Sequence, residues 1–229
     1  MKKTALLAGF VALVAANAAM AEKSGFYVGA DLGATYFNLN KSMFDNAVGD
    51  YITSYGAGVD SGTSSVDKHD MTFSVFVGYR FLPYLAAELA YIDLGQAHYK
   101  ASTAISVVTE DGTSLGTADF KVRETSAGEA LSVLGIWPVR PDLDAFVRVG
   151  AYYGETKVSA DITSDLIPGE SSSVSKRTTE VLYGIGADWH VADRWSLRLE
   201  FERIPNVGDK STTGEANVDL YKVGAKYQF

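Results

Sequence analysis

YKVGAKYQF, running from Tyr221 to Phe229, decides the fold. Tyr221, Val223, Ala225, Tyr227 and Phe229 are apolar or aromatic, whereas Lys222, Gly224, Lys226 and Gln228 are polar or small. Side chains of a strand point to opposite faces with a period of two, so this stretch is a strand with one greasy and one cationic face.

The same alternation recurs along the chain in segments of about ten residues, the length of a tilted strand that crosses a bilayer. Seven further strands are expected: Phe26–Phe37, Met71–Phe81, one starting at Leu85, one near Glu129–Val139, Leu143–Gly154, Glu180–His190 and Trp195–Glu202. The facing of the segment near Glu129–Val139 is left open, because its alternation is less clear. Short connections fall at Leu82-Pro83, Arg140-Pro141-Asp142 and Ala192-Asp193, each with turn chemistry. Long connections, about 38–70, 95–125, 158–177 and 206–216, are rich in Gly, Ser, Thr and Asp and are expected to be loops without helical period. Short turns at one end and long loops at the other are the layout of an all-β, eight-stranded antiparallel up-and-down transmembrane barrel, with the short turns periplasmic and the long loops extracellular.

A soluble lipocalin-type barrel also alternates, with its greasy face inward. The polar faces here carry Asp31, Arg80, Glu88, Arg148, Glu180, Asp188, Arg198, Glu200, Lys222 and Lys226 together with many glycines. Paired charges beside glycines suit the narrow interior of an eight-stranded barrel. Hairpin counting sets Glu200 opposite Lys222 and Asp188 near Arg198, and brings Arg80 within diagonal reach of Glu88. A lumen plugged by these ion pairs is the expectation. Trp137, Trp189 and Trp195 lie near the short turns and form an interfacial aromatic girdle.

Residues 1–21 read as a cleavable signal peptide: Lys2 and Lys3, an apolar stretch from Ala5 to Ala19, and Ala19-Met20-Ala21 before the cut. The domain then runs from residue 22 to 229. Removing two lysines takes the formal charge from −8 to −10, which argues against a nucleic-acid partner. There is no cysteine, so no disulfide framework supports the fold.

The stretches GFYVGADLGA (Gly25–Ala34), VGYRF (Val77–Phe81) and AAELAY (Ala86–Tyr91) resemble the transmembrane domain of outer-membrane protein A and its small-barrel relatives. The resemblance covers essentially all of residues 24–229. It implies residence in the outer membrane, contact with outer-membrane lipid and lipopolysaccharide, a monomer, and surface ligands met through the loops. It also implies that the strand ending in Tyr221, Val223, Ala225, Tyr227 and Phe229 is a signal for the barrel-assembly machinery. The peptidoglycan-binding domain that often follows the barrel in that family is not carried over to a sequence whose last residue is Phe229.

Two alternatives come from other small barrels. Lipid A-modifying enzymes need a His with a Ser and an acid at the outer rim. His69-Asp70 and His98 are the candidates, in no motif of those enzymes, while His190 falls at the periplasmic end. Barrels resembling the outer-membrane protein W family pass small hydrophobic molecules, and Phe76, Phe146 and Tyr152 on inward positions could line such a pocket. No metal-ligand spacing and no phosphate cradle is present, so neither a catalytic role nor a metal or cofactor is expected.

Overall fold

The computed structural model describes residues 24–110 and 112–229. The signal peptide expected at 1–21 lies outside these residues. Among them are nine strands and one helix, in the order β1 (Gly25–Asn38), α1 (Lys41–Ser54), β2 (Ala57–Asp67), β3 (His69–Leu82), β4 (Leu85–Thr109), β5 (Gly112–Arg140), β6 (Leu143–Ser164), β7 (Glu170–His190), β8 (Trp195–Asp209) and β9 (Gly214–Gln228).

Eight of the strands form a closed ring, β4-β3-β1-β9-β8-β7-β6-β5, sealed by pairing of β5 back onto β4. Every ladder in the ring is antiparallel. The opening stretch is what joins the two ends of the sequence. β9 pairs with β1 from Tyr27 opposite Gln228 to Asn38 opposite Asn217, and the Phe229 amide donates to the Phe26 carbonyl.

The inside–outside assignment follows the alternation. Leu32, Val147, Val149, Ile185, Leu199, Tyr221 and Val223 are exposed around the belt, and the residues between them are buried in the bore. An outward apolar belt with buried charges is the arrangement of a barrel solvated by lipid, not by water. The segment whose facing was open resolves on β5, with Leu131, Val133 and Trp137 outward and Ala130, Ser132 and Leu134 inward. Trp137, Trp189 and Trp195 stand on the outer surface at the short-turn end, where Trp195 packs edge-on against Tyr227 at 5.0 Å between ring centres.

The narrow bore dictates its glycines. A Cβ on Gly78 would lie 2.2 Å from the Tyr27 ring, and one on Gly186 2.3 Å from the ring of Phe146. Each glycine leaves the space that a ring from the neighbouring strand fills.

The far end departs from the expected loops. Residues 95–109 and 112–125 are the continuation of β4 and β5, which stay paired as far as Thr109 opposite Gly112. Residues 158–177 likewise continue β6 and β7 up to Ile162 opposite Glu170. The alternation was hidden by a bulge. The ladder slips between Asp93 and Gln96, at Gly95 with φ +77°, so buried positions change from even (Ile92, Leu94) to odd (Ala97, Tyr99, Ala101). Residues 38–70, expected to lack helical period, hold α1 and β2. α1 starts at Asn40, whose side-chain oxygen accepts the Ser42 amide, and stops before Gly56 with φ +74°. Only four of its fourteen positions, Met43, Phe44, Val48 and Ile52, are strongly apolar, which is why its period is faint. β2 lies outside the ring and adds an edge to the outer half of β4, from Ala57 opposite Val107 to Asp67 opposite His98.

α1 covers the inward face of this extended sheet. Ile52 is buried against it, Phe44 stacks on Tyr99 at 5.0 Å, and Tyr51 meets Phe120 edge-on at 5.9 Å. Tyr99 donates to Asp45, which Lys41 also holds at 2.8 Å, and the Tyr51 hydroxyl donates to the Pro168 carbonyl. Asp45 is held down to about 2, first by the hydrogen bond from Lys41.

Candidate functional site

The bore is the site. Inward positions of strands that are not neighbours meet across it. Glu88 on β4 accepts from Arg148 of β6 at 2.5 Å and from Arg198 of β8 at 2.9 Å, with Tyr27 of β1 donating to it at 2.8 Å. Arg148 also reaches Glu200 at 2.6 Å and Glu202 at 3.1 Å. Arg198 holds Asp188 at 2.8 Å, and Asp188 in turn takes Lys226. Lys222 lies 2.9 Å from Glu202, 3.5 Å from Glu200 and 3.8 Å from Asp31, and Ser74 donates to Asp31 at 3.0 Å. All of these side chains are almost fully buried.

Two of the hairpin pairings expected from counting are present: Glu200 faces Lys222, and Asp188 faces Arg198. The third is not. Arg80 turns to Asp144 at 2.7 Å instead of Glu88, because Glu88 sits opposite Gly78 and Arg148 and Arg198 have taken its oxygens. Glu180 also stands apart. It faces inward opposite Tyr152, only half-buried, with no cation paired to it among the described residues. Asp144 and Glu202 join the cluster although sequence reasoning named neither as members. Their inward parity was the available signal. Six carboxylates (Asp31, Glu88, Asp144, Asp188, Glu200, Glu202) therefore meet five cations (Arg80, Arg148, Arg198, Lys222, Lys226).

Aromatic rings finish this layer. The Arg198 guanidinium lies between Phe76, 4.6 Å from the ring centre, and Phe146, at 4.8 Å. Toward the long end a second layer is apolar: Ile92, Leu94, Leu182, Ile204, Val218 and Leu220 cluster in the bore together with Phe37. Tyr152 sits there as well, its hydroxyl 3.3 Å from Ser126.

The histidines divide. His69 stacks with Tyr36 at 5.0 Å, and His98 lies on the outer face of β4. His190 makes the one His–Ser–acid contact set among the described residues, with Nδ1 2.8 Å from Ser196 Oγ and Nε2 3.2 Å from Asp144. It is at the short-turn end, and Ser196 is buried opposite Lys226 within the wall. The imidazole braces Asp144 and Ser196, whose hydroxyl is buried.

Beyond the bore, the extended sheet holds a buried acid. Glu124 of β5 lies between Ala97 and Val158 on its neighbouring strands, and burial pushes its carboxyl up to about 7.

Comparison with known proteins fits this architecture. The family model for the OmpA-like transmembrane domain matches residues 21–229. Outer membrane protein A of Serratia marcescens is 27% identical across 100% of this chain and 56% of its own length. Outer membrane protein P5 of Haemophilus influenzae is 28% identical over 91% of this chain and 53% of its own. The chain thus spans about half the length of the curated relatives it matches. Among solved structures, Neisserial surface protein A covers 90% of this chain and 98% of its own at 15% identity, with a TM-score of 0.46. With the family model matching nearly its whole length, the chain belongs to the OmpA-like transmembrane domain family and resides in the outer membrane.

Proposed function

We propose that this barrel is a non-catalytic scaffold of the outer membrane whose bore is plugged, and whose long end is extracellular and meets surface ligands. The observation that carries the plug is Glu88 on β4, which binds Arg198 from β8 across the ring and Arg148 from β6, two strands away. Side chains that bridge the diameter leave no path for bulk water, and the apolar layer beyond them adds a second closure. Phe76 and Phe146 clamp Arg198 instead of lining an open pocket, which weighs against passage of hydrophobic molecules. Export through the segment at 1–21 and recognition of Tyr221, Val223, Ala225, Tyr227 and Phe229 by the barrel-assembly machinery complete the proposal. Tyr221, Val223, Ala225 and Tyr227 lie along β9, which pairs with β1, and Phe229 follows its end.

Single-channel recording on protein refolded in planar bilayers tests the plug. Wild type should show at most small, rare openings, and Glu88→Ala should make them more frequent. Steady, large conductance from wild type would refute the plug.

A further inference from the structure

α1 does not seal completely onto the extended sheet. Between them lies a cavity of about 160 Å³, walled by Phe44, Val48 and Tyr51 of the helix and by Tyr99, Phe120 and Ile162 of β4, β5 and β6. An apolar cavity of roughly 150 Å³ is large enough to take one benzene ring. Phe44, Tyr99 and Val122 also border a second space of about 10 Å³, room for one water-sized group. Glu124 lines that second space together with Leu39 and Ala97.

A void with apolar walls alone would be a packing defect; the carboxyl makes it a site. Glu124 is 6% exposed. Its cross-strand neighbours, Ala97 and Val158, offer no side-chain donor. Burial is the one cause that raises its carboxyl, with no cation among the described residues pulling it back. The other charged groups around the two spaces are engaged or face away. Lys121 and Asp161 are exposed and stand opposite one another on β5 and β6. His98 has the outward parity of β4, and Asp45 is already held by Lys41 and Tyr99. A buried acid without a partner costs the sheet stability.

One kind of ligand answers both surroundings. Val122 and Glu124 share the inward face of β5, about 7 Å apart along the strand, which a ring with a two-carbon arm can span. A nitrogen at the end of that arm, as an ammonium, is attracted by aromatic faces and by a carboxylate together. An anionic ligand would be repelled, and a purely apolar one would leave Glu124 as it is. The net charge of −8 draws cations to the chain. We propose that the space between α1 and the extended sheet binds a small aromatic monoamine, its ring in the larger cavity and its ammonium on Glu124. The site lies in the cap, so it stands or falls apart from the plug in the bore.

The probe is para-fluorophenethylamine, titrated onto the full chain in phosphatidylcholine nanodiscs and followed by its fluorine resonance. Empty nanodiscs give the reference for partition into lipid. At about pH 8 the amine is charged and Glu124 is ionised. Wild type should shift the resonance saturably beyond that reference. Glu124→Gln, which keeps the volume and removes the charge, should weaken the amine at least about tenfold. The same change should leave the neutral counterpart, para-fluoropropylbenzene, bound as in wild type. Ala160→Phe, which fills the larger cavity, should abolish binding of both. The acidic counterpart, para-fluorohydrocinnamate, should not bind wild type, a comparison that decides the matter even if a variant does not fold. Hydrogen exchange over residues 41–54 establishes that α1 stays seated in the variants. Equal amine affinity in wild type and Glu124→Gln would overturn the site. So would the lack of a saturable shift with wild type, or binding of the acid as tight as that of the amine.

Discussion

Arg198 shows how much a single inward side chain carries. It is held by Asp188 and Glu88 and lies between two rings. Arg198→Ala leaves two buried carboxylates short of a partner, a change that typically costs about 3–5 kcal/mol. Urea titration of folding into lipid vesicles should show a loss of that size. Adding Glu88→Gln and Asp188→Asn to the variant should recover part of it, since the uncompensated charges are then gone. Glu124 makes a different point. Its carboxyl titrates at about 7 in the fold against an ordinary value of 4.5. Between those values the folded form holds a proton that the unfolded form has released. The stability of the extended sheet should therefore be full below about pH 4.5, fall as pH rises to about 7, and level off above it. Hydrogen exchange in residues 97–126 should follow this course, and Glu124→Gln should flatten it.

Among the elements, the belt and the cap answer to different solvents. Val147 faces the middle of the belt, so Val147→Arg should cost about 2–4 kcal/mol, whereas Val139→Arg, beyond Trp137, should cost about 0–1 kcal/mol. Equal penalties in vesicle refolding would contradict the depth assignment. Ser196→Arg, which the alternation alone marks as mild, is instead expected to be severe. Ser196 is buried and bound to His190, and the bore has no room for a guanidinium there. α1 is held by few contacts, mainly Ile52 and Phe44 on Tyr99. Ile52→Asp should release residues 41–67 to rapid hydrogen exchange while β6, β8 and β9 stay protected. The strands of the belt were legible in the sequence because lipid demands apolar residues at every second position, as Leu197, Leu199 and Phe201 do against Arg198, Glu200 and Glu202. Beyond the belt that demand ends. Ser102, Thr103 and Ala104 satisfy strand and loop alike, and one bulge at Gly95 reverses the count.

For the molecule as a whole, the same distinction governs the site. Pairs made across a short turn, such as Asp188 with Arg198, could be counted from the sequence. Pairs between strands that are not neighbours could not: Glu88 lies 60 residues from Arg148 and 110 from Arg198, and only the curvature of the ring brings them together. The seam between β1 and β9 is the extreme case, where Gln228 reaches the Phe26 carbonyl across 202 residues. Closing so long a segment is the most entropically demanding step in forming the ring, while the β4–β5 hairpin closes over a short turn. Pulse-labelled hydrogen exchange during refolding should find Ala90 and Ala130 protected before Ala30 and Ala225, and simultaneous protection would indicate concerted closure. In the interval, both β1 and β9 present bare edges able to pair with any strand nearby. The waiting time at that seam, more than the strength of the finished barrel, sets the molecule's exposure to mispairing with its neighbours.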